Sequence, residues 1–449
     1  MTLPNSSPPN PNAANIELAL DWLAKIIAGR LNVHFGKTEQ YVSKELNFRD
    51  DDSWIARFVN RKETGFHEFV TLMLALAPHF RPALLDNLIA ACLPEGADFL
   101  EFGGMKGTHH RGVLPTGETV QFVLAGDDLE QGLEVRRILS NDHWLTRNRI
   151  LWLEPVREGE PMMSGRLLVN PEIVEEIVTG KVSPPAFSLD FPAEHIETAM
   201  EWRDLILNPA TGSQIREIEN WITHNDTLLN EWGMRKRIKP GYRALFYGPP
   251  GTGKTLTATL LGKHTGKDVF RVDLSRVISK YIGETEKNLS RLFDKAENKN
   301  WILFFDEADA LFSRRTDIRD AHDKYANQEV AYLLQRIEGY NGLVILASNQ
   351  RANIDDAFVR RLQAIIPFPM PRPEERYEIW RKTFPAQIEL ADDIDWHRIA
   401  ARHELTGASI LNVTQFCAID ALARASRRVD LKSLEAAIKR EYVKEGKIV

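Results

Sequence analysis

A glycine-rich octapeptide, Gly248–Thr255 (GPPGTGKT), is the segment whose residue types and spacing most directly suggest chemistry. It satisfies the phosphate-binding pattern G-x-x-x-x-G-K-[ST]. Glycines let the backbone curl until successive N–H groups point at one anion, and a helix that follows adds the positive end of its dipole. We therefore predict that Lys254 bridges the outer phosphates of a bound nucleotide and that the Thr255 hydroxyl holds Mg2+. The residues predicted to bind the nucleotide here are Gly248, Pro249, Pro250, Gly251, Thr252, Gly253, Lys254, Thr255 and Leu256.

Strand and helix signals flank this segment in the order that a phosphate loop requires. An apolar run at 244–247 predicts a strand before it, and leucines between 256 and 261 predict a helix that ends near Gly266. Such continuous apolar runs are typical of parallel strands that are covered on both faces. Further strands are predicted at 269–272, 301–305 and 344–347.

Polar side chains follow two of these strands. Asp306 and Glu307 come directly after the 301–305 run, and Asn349 follows the 344–347 run. Acids at the end of a buried strand are costly unless a cation or water chemistry uses them. We therefore predict that Asp306 orients hydrated Mg2+, that Glu307 polarises an attacking water, and that Asn349 holds the same water and the terminal phosphate.

Composition and charge limit the class of protein. The chain of 449 residues is too long for one ordinary core and predicts roughly two to four structural units. A net charge of −6 gives no global electrostatic case for nucleic-acid binding. Two cysteines cannot build a disulfide framework, and neither a secretory signal nor an apolar run near the ~18 residues of a membrane span is present. A cytoplasmic protein without a membrane partner is the expectation.

Changes of composition along the chain predict its domain boundaries. Residues 1–14, rich in Pro, Asn and Ser, predict a disordered tail, and the Pro- and Ser-rich stretch 182–192 predicts a linker, which we assign to 186–200. Between them, 15–185 predicts a small α and α/β region. A large α/β domain is predicted at 201–370 and a helical domain at 371–449. Predicted elements are helices at 67–77, 83–92 and 128–139, a β-prone segment at 120–124, a strand at 150–153, and helices that begin near Thr211, Pro373 and Thr406.

The motifs resemble those of the AAA branch of the AAA+ ATPases. GPPGTGKT, ILFFDEAD, LASN and DDAFVRRL match that family's Walker A, Walker B, sensor 1 and second region of homology. The resemblance covers about residues 200–449. It implies a P-loop NTPase fold, with a parallel five-stranded sheet followed by a helical lid. It also implies Mg2+-dependent hydrolysis of ATP by subunits assembled in a ring, usually a hexamer.

Further roles follow from the same resemblance. Arg360 and Arg361 resemble arginine fingers that reach into the neighbouring subunit's site, where such a residue supplies ~10³ to 10⁵ in rate. Gly407 and Ala408 match the nucleotide-facing position of the lid. Leu411 stands close to the place where some relatives carry a sensor 2 arginine, so this candidate residue is missing here.

The segment Lys280-Tyr281-Ile282-Gly283 lies between the second and third strands, before a helix with an apolar stripe. A cation, an aromatic and a β-branched residue before a glycine do not fit a core. They resemble the pore loop with which AAA rings grip extended polypeptide, Tyr281 contacting substrate side chains and Ile282 packing beside it. The charged stretch 313–324 is open to two interpretations, a second pore-facing loop or a solvated connection.

A ring-forming ATPase that remodels or unfolds protein substrates through a central pore is therefore the leading hypothesis, with the N-terminal region selecting substrates. The segments YIGETEKNLSRLFDKAE, FFDEADALF, DAHDKYANQEVAYLLQ and RRLQAIIPFPMPRPEER are similar to the AAA ATPase encoded with bacterial phage-tail-like contractile injection systems, which implies sheath or tail components as partners. The alternatives are a nucleic-acid-acting AAA+ protein, which would need a basic pore, and a nucleotide-gated binding scaffold, which would not need Glu307 or both arginines.

Two other patterns favour plain structural interpretations. His109-His110-Arg111 offers two metal ligands, but no third stands at a supporting spacing, so a solvated turn is predicted. The basic run 235–239 could contact nucleic acid, but it precedes the strand that enters the phosphate loop, and a solvated approach to that strand is favoured.

Overall fold

The computed structural model describes residues 11–38, 50–61, 64–93, 99–188, 191–274, 284–297, 299–309, 331–349 and 360–447. The chain divides into two units, Met1–Ser183 and Pro184–Val449. Within the described ranges, no helix combines the length and apolarity that crossing a bilayer requires.

The first unit is mainly helical and has one core. Its central helix, α3, is buried continuously from Phe69 to Ala77, because the other helices pack around it. The helices are α1 (Pro11–His34), α2 (Trp54–Val59), α3 (Phe66–Phe80), α4 (Leu84–Ala90), α5 (Gly117–Ala125), α6 (Leu129–Ile138), α7 (Trp144–Arg147) and α8 (Pro171–Thr179). The strands form two antiparallel pairs, β1 (Met105–Lys106) with β2 (Val113–Leu114) and β3 (Leu151–Leu153) with β4 (Leu167–Val169).

Two predictions for this unit are wrong. Helix α1 begins at Pro11, so residues 11–14 of the predicted disordered tail are helical, while residues 1–10 lie outside the described residues. The buried Asn12 side chain ties this start down, since its amide donates to the Ile177 carbonyl at 2.9 Å and its oxygen accepts from Trp54 N at 2.7 Å. The β-prone segment 120–124 is helical, because Thr116 caps α5 and tertiary packing overrides the preference of its β-branched residues.

The second unit is built on a six-stranded sheet, in the order β10-β6-β9-β8-β7-β5. Its first five strands are parallel, which confirms the predicted parallel five-stranded sheet. Both faces of the sheet carry an apolar core, as the continuous apolar runs indicate. The strands are β5 (Ala193–His195), β6 (Tyr242–Tyr247), β7 (Val269–Asp273), β8 (Ile302–Asp306), β9 (Leu343–Ser348) and β10 (Ala364–Pro367).

Strand β5 lies within 186–200, the segment that predicted a linker. It pairs antiparallel with β7 at the edge of the sheet. Phe191, just before it, is fully buried, and its ring lies 5.3 Å from that of Phe270 and 5.9 Å from that of Trp301. Residues 193–195 of this segment therefore belong to the six-stranded sheet, because the burial of the Phe191 ring outweighs the Pro and Ser content around it.

Helices cover the sheet and form the C-terminal lid. Residues 331–339 are also helical. Helix α9 begins two residues before the predicted Thr211, since Asn208 caps it and Pro209 occupies its first position. The predicted helix starts at Pro373 and at the Thr406 cap are confirmed. The helices are α9 (Pro209–Asp226), α10 (Lys254–Thr265), α11 (Glu284–Ala296), α12 (Pro373–Thr383), α13 (Trp396–Arg402), α14 (Gly407–Ala423) and α15 (Leu431–Lys444), and the lid also pairs β11 (Glu389–Leu390) with β12 (Arg428–Val429).

Candidate nucleotide-binding site

Residues Gly248–Gly253 of the octapeptide form the turn between β6 and α10, and Lys254 and Thr255 are the first residues of α10. Three glycines of the turn have φ in the left-handed region, +150° at Gly248, +78° at Gly251 and +100° at Gly253. A Cβ on Gly248 would lie 2.0 Å from the Phe368 carbonyl oxygen. This loop therefore needs glycine both for its dihedral angles and for its close approach to the chain after β10.

The Lys254 side chain is largely buried under this loop. Its Nζ donates to the carbonyls of Gly248 at 2.6 Å and Pro249 at 3.0 Å, and to Asn349 Oδ1 at 3.3 Å. Burial lowers the pKa of the Lys254 ammonium, while the carboxylates of Asp306 and Asp309 act in the opposite direction. The cation thus lies between the phosphate loop and the ends of β8 and β9.

Adjacent parallel strands bring the predicted acids and amide together. Strands β8 and β9 are neighbours, so Asp306 at the end of one and Asn349 after the other reach the same edge of the sheet. With Lys254, Thr255 and Glu307 they line a cavity of about 700 Å³. The structure therefore brings the phosphate loop, the two predicted acids and the predicted amide together around one cavity.

Glu307 has a strained backbone, with φ of +50°. Its N–H donates to Asp306 Oδ1 at 3.0 Å, and the next N–H, of Ala308, donates to the Ala347 carbonyl at 2.8 Å. A non-glycine residue in the left-handed region costs of order 1–3 kcal/mol and persists when its surroundings impose it. Here that conformation turns the Glu307 side chain to the exposed side of the strand end.

Asp309 has a structural role that sequence reasoning missed. One carboxylate oxygen accepts from Ser348 Oγ at 2.5 Å, and the other accepts from Asn349 N at 3.0 Å. Asp309 therefore fixes the end of β9, and with it Asn349, against the turn that follows β8. Asp309 is the last residue of Asp306-Glu307-Ala308-Asp309, so a third acid after this strand is visible in the sequence. Only the structure shows which groups it contacts.

The lid closes one side of the cavity. Ala408 N, in the first turn of α14, donates to the Gly251 carbonyl at 3.2 Å, and Gly407 and Leu411 line the space beside it. A Cβ on Gly251 would lie 2.7 Å from Thr406 Oγ1. The N-terminal turn of α14 thus lies directly against the phosphate loop.

The segment before α9, together with residues after β10 and on α12, makes an apolar wall of the cavity. Leu205 lies against the phosphate loop, since a Cβ on Gly253 would be 2.9 Å from its Cδ1. Two hydrogen bonds connect this segment to lid helix α12, from Asn208 to Glu375 at 3.3 Å and from Lys382 to the Arg203 carbonyl at 2.7 Å. No motif marks these residues. The wall consists of Leu205, Ile206, Leu207, Pro369, Pro371 and Ile379.

Arg360 and Arg361 are exposed, and among the described residues that line the cavity neither appears. Arg361 instead pairs with Glu338, Nη1 to Oε1, at 2.9 Å. The predicted pore-loop residues Lys280, Tyr281, Ile282 and Gly283 lie outside the described residues, as does the charged stretch 313–324.

The fold and this cavity define a P-loop NTPase, and the comparisons with known proteins agree. Residues 244–370 match the model of the ATPase family associated with various cellular activities (AAA). The chain therefore carries an AAA ATPase domain, which confirms the predicted fold class and the predicted ATPase domain.

Proteins to which this chain is similar include proteasome regulatory subunits and proteasome-activating nucleotidases. A probable 26S proteasome regulatory subunit 6B of Caenorhabditis elegans is 32% identical over 241 residues, which are 52% of this chain and 57% of the relative. A proteasome-activating nucleotidase of Methanocella arvoryzae is 32% identical over 234 residues, 50% of this chain and 56% of the relative. The match thus spans little more than half the length of these relatives.

Proposed function

We propose that this chain hydrolyses ATP in a homo-oligomeric ring, a hexamer, and uses the energy to remodel or unfold protein substrates. One observation carries the proposal: the phosphate loop, Lys254, two acids and Asn349 surround a single cavity. A nucleotide-gated scaffold would need the loop but not Glu307.

Each residue has a chemical task in this proposal. Lys254 neutralises the outer phosphates of ATP, and the backbone N–H groups of the loop with the N-terminus of α10 bind them. Glu307 accepts hydrogen-bond donation from the attacking water, and Asn349 orients that water relative to the terminal phosphate. The oxygens of Thr255 and Asp306 line the same cavity and are donors of the kind that Mg2+ prefers, so these residues would hold the ion. Bound there, Mg2+ would neutralise charge that develops on the phosphates.

The proposed ring follows from the two arginines. Arg360 and Arg361 are absent from the described lining of their own chain's cavity and are exposed. In a ring they would act on a neighbour's ATP, and a supplied arginine is worth ~10³ to 10⁵ in rate. A lone subunit would hydrolyse ATP slowly.

Protein substrates are proposed on two grounds. The segment Lys280-Tyr281-Ile282-Gly283 resembles a pore loop, and the relatives are proteins named for activation or regulation of the proteasome. We propose that the chain acts in the cytoplasm. As a narrower context we propose assembly or recycling of a contractile injection system, with sheath or tail components as substrates, on the similarity of the four segments that carry it.

A Glu307→Gln variant tests the proposal. It should bind ATP and lose at least about 100-fold in turnover, because only the group that polarises water is changed. Glu217→Gln, which changes an exposed glutamate of α9 outside the cavity lining, is the matched control and should turn over ATP normally. Proteins that co-purify with Glu307→Gln in excess ATP would identify the substrate. Retained turnover in Glu307→Gln would overturn the role of Glu307.

A further inference from the structure

A chain of hydrogen bonds leads from the end of α15 to the turn of α14 that faces the nucleotide cavity. Glu445, directly after α15, accepts through Oε1 from Ser409 Oγ at 2.7 Å. Ser409 Oγ in turn lies 3.0 Å from Thr406 Oγ1. Thr406 is the N-cap of α14 and accepts from Ser409 N at 3.2 Å.

The number of hydroxyl hydrogens decides which group donates and which accepts in this series of hydrogen bonds. A serine hydroxyl has one hydrogen, and Ser409 gives it to Glu445. The hydroxyl of Thr406 must therefore donate to Ser409 Oγ, while its oxygen accepts the Ser409 N–H. A carboxylate at the end of such a chain polarises each hydroxyl and strengthens the bonds beyond it.

Glu445 is itself held in place. Its second oxygen accepts from Lys447 Nζ at 2.7 Å. Burial alone would raise the pKa of the Glu445 carboxyl, but the hydrogen bonds from Lys447 and Ser409, together with the positive charges of Lys447 and Lys444, hold that pKa below its ordinary value. Glu445 is therefore ionised at neutral pH.

A second carboxylate, that of Glu441, contacts α14 one helical turn from Ser409. Glu441 is buried and accepts from Asn412 Nδ2 at 2.9 Å and from Lys444 Nζ at 3.0 Å. Glu441 on α15 and Glu445 at its C-cap are four residues apart, and Ser409 and Asn412 are three residues apart on α14, so the two contacts share one helix–helix seam. The end of α15 thus sets the position of the first turn of α14.

That turn contacts the phosphate loop through Ala408 N and the Gly251 carbonyl, and Thr406 lies against Gly251. We infer that Glu445 is a positioning residue for nucleotide binding, which holds Gly407 and Ala408 against the phosphate loop through Ser409 and Thr406. This inference rests on the proposal that the cavity binds ATP. Glu445 does not line the cavity among the described residues, and it acts through the turn.

Glu445→Ala and Ser409→Ala test the inference in the full chain. Each should raise the Kd for a fluorescent N-methylanthraniloyl ADP, and the KM for ATP, about 3- to 10-fold, the range expected for loss of a hydrogen bond to a charged group. The kcat should stay within about twofold, because no group that touches the reacting atoms is changed. Glu445→Gln keeps an acceptor for Ser409 and should recover most of the affinity.

The double variant and a control separate positioning from general stability. Glu445 and Ser409 belong to the same series of hydrogen bonds. The double variant Glu445→Ala/Ser409→Ala should therefore bind the probe no more weakly than the single variant with the higher Kd. Glu435→Ala removes an exposed glutamate of the same helix and should leave the Kd unchanged. A merely structural role would lower the Tm of the nucleotide-free protein and leave the Kd alone.

An unchanged Kd in both folded single variants overturns the inference. A wild-type chain that binds the probe but hydrolyses no ATP would instead contradict the proposed function and leave the inference standing. The two failures are therefore distinguishable.

Discussion

Glu338 and Arg361 form an ion pair within the chain, with Oε1 and Nη1 2.9 Å apart. The buried Arg243 contacts the two segments that carry Glu338 and Arg361. Its guanidinium donates to the carbonyls of Ile337 and Glu338, at the end of helix 331–339, while its backbone exchanges hydrogen bonds with Gln363, at 2.8 and 2.9 Å. The orientation of Arg361 is therefore coupled to the core of the sheet.

Glu338→Gln should lower kcat for ATP about 3- to 10-fold, because the guanidinium of Arg361 loses the partner that orients it. Stability should change by less than about 1 kcal/mol, since the pair is partly exposed. Arg361→Ala should lower kcat at least about 100-fold if it acts as an arginine finger. Steady-state kinetics and urea unfolding measure both. Equal turnover in Glu338→Gln and wild type would show that the pair does not position Arg361.

Asp309→Ala should lower kcat about tenfold with a smaller change in KM. The substitution removes both acceptors that fix Ser348 and Asn349, and small displacements of a group that orients water are costly to rate. Ser348→Ala, which removes one of the two hydrogen bonds, is the matched control and should have a smaller effect. Full activity in Asp309→Ala would mean that β9 alone holds Asn349.

Gly248→Ala should destabilise the protein by about 3 kcal/mol or more, because the new methyl group would meet the Phe368 carbonyl in a chain segment that cannot move freely. Gly266→Ala is the control. Gly266 also has a positive φ, +63°, but nothing lies within 4 Å of its Cβ position, so only the backbone cost of about 1–2 kcal/mol applies. Urea unfolding compares the two variants, and equal losses would contradict the steric argument.

Acid should weaken the first unit through Glu154 and Arg166. The Arg166 guanidinium makes two hydrogen bonds to this carboxylate, at 2.5 and 2.6 Å, and thereby holds the pKa of Glu154 below its ordinary value of 4.5. The folded state has the lower pKa, so this contribution is present above the ordinary pKa and is lost as pH falls through the folded-state pKa.

Thermal unfolding at decreasing pH measures this effect. Arg166→Met should be less stable than wild type at neutral pH and should lose less stability below pH 4.5. Glu154→Gln should behave in the same way. Parallel pH profiles for wild type and Arg166→Met would contradict the assignment.

The sequence by itself determined the elements of the ATPase unit whose signals are local. The phosphate loop needs glycines at fixed spacing, and buried parallel strands need continuous apolar runs, so the loop, the strands β6 to β9, Asp306, Glu307 and Asn349 were all readable. The sequence also predicted where α12 and α14 begin, because a proline at the first helical position and a threonine cap are signals carried by a few neighbouring residues.

Tertiary structure decided what depends on contacts between distant segments. Strand β5 forms because Phe191 finds a pocket against Phe270 and Trp301, although its own sequence resembles a linker. The roles of Asp309 and Glu445 exist only once β9 and α14 lie beside them. A carboxylate's partner is set by distance in space, and a local pattern of residues carries no information about that distance.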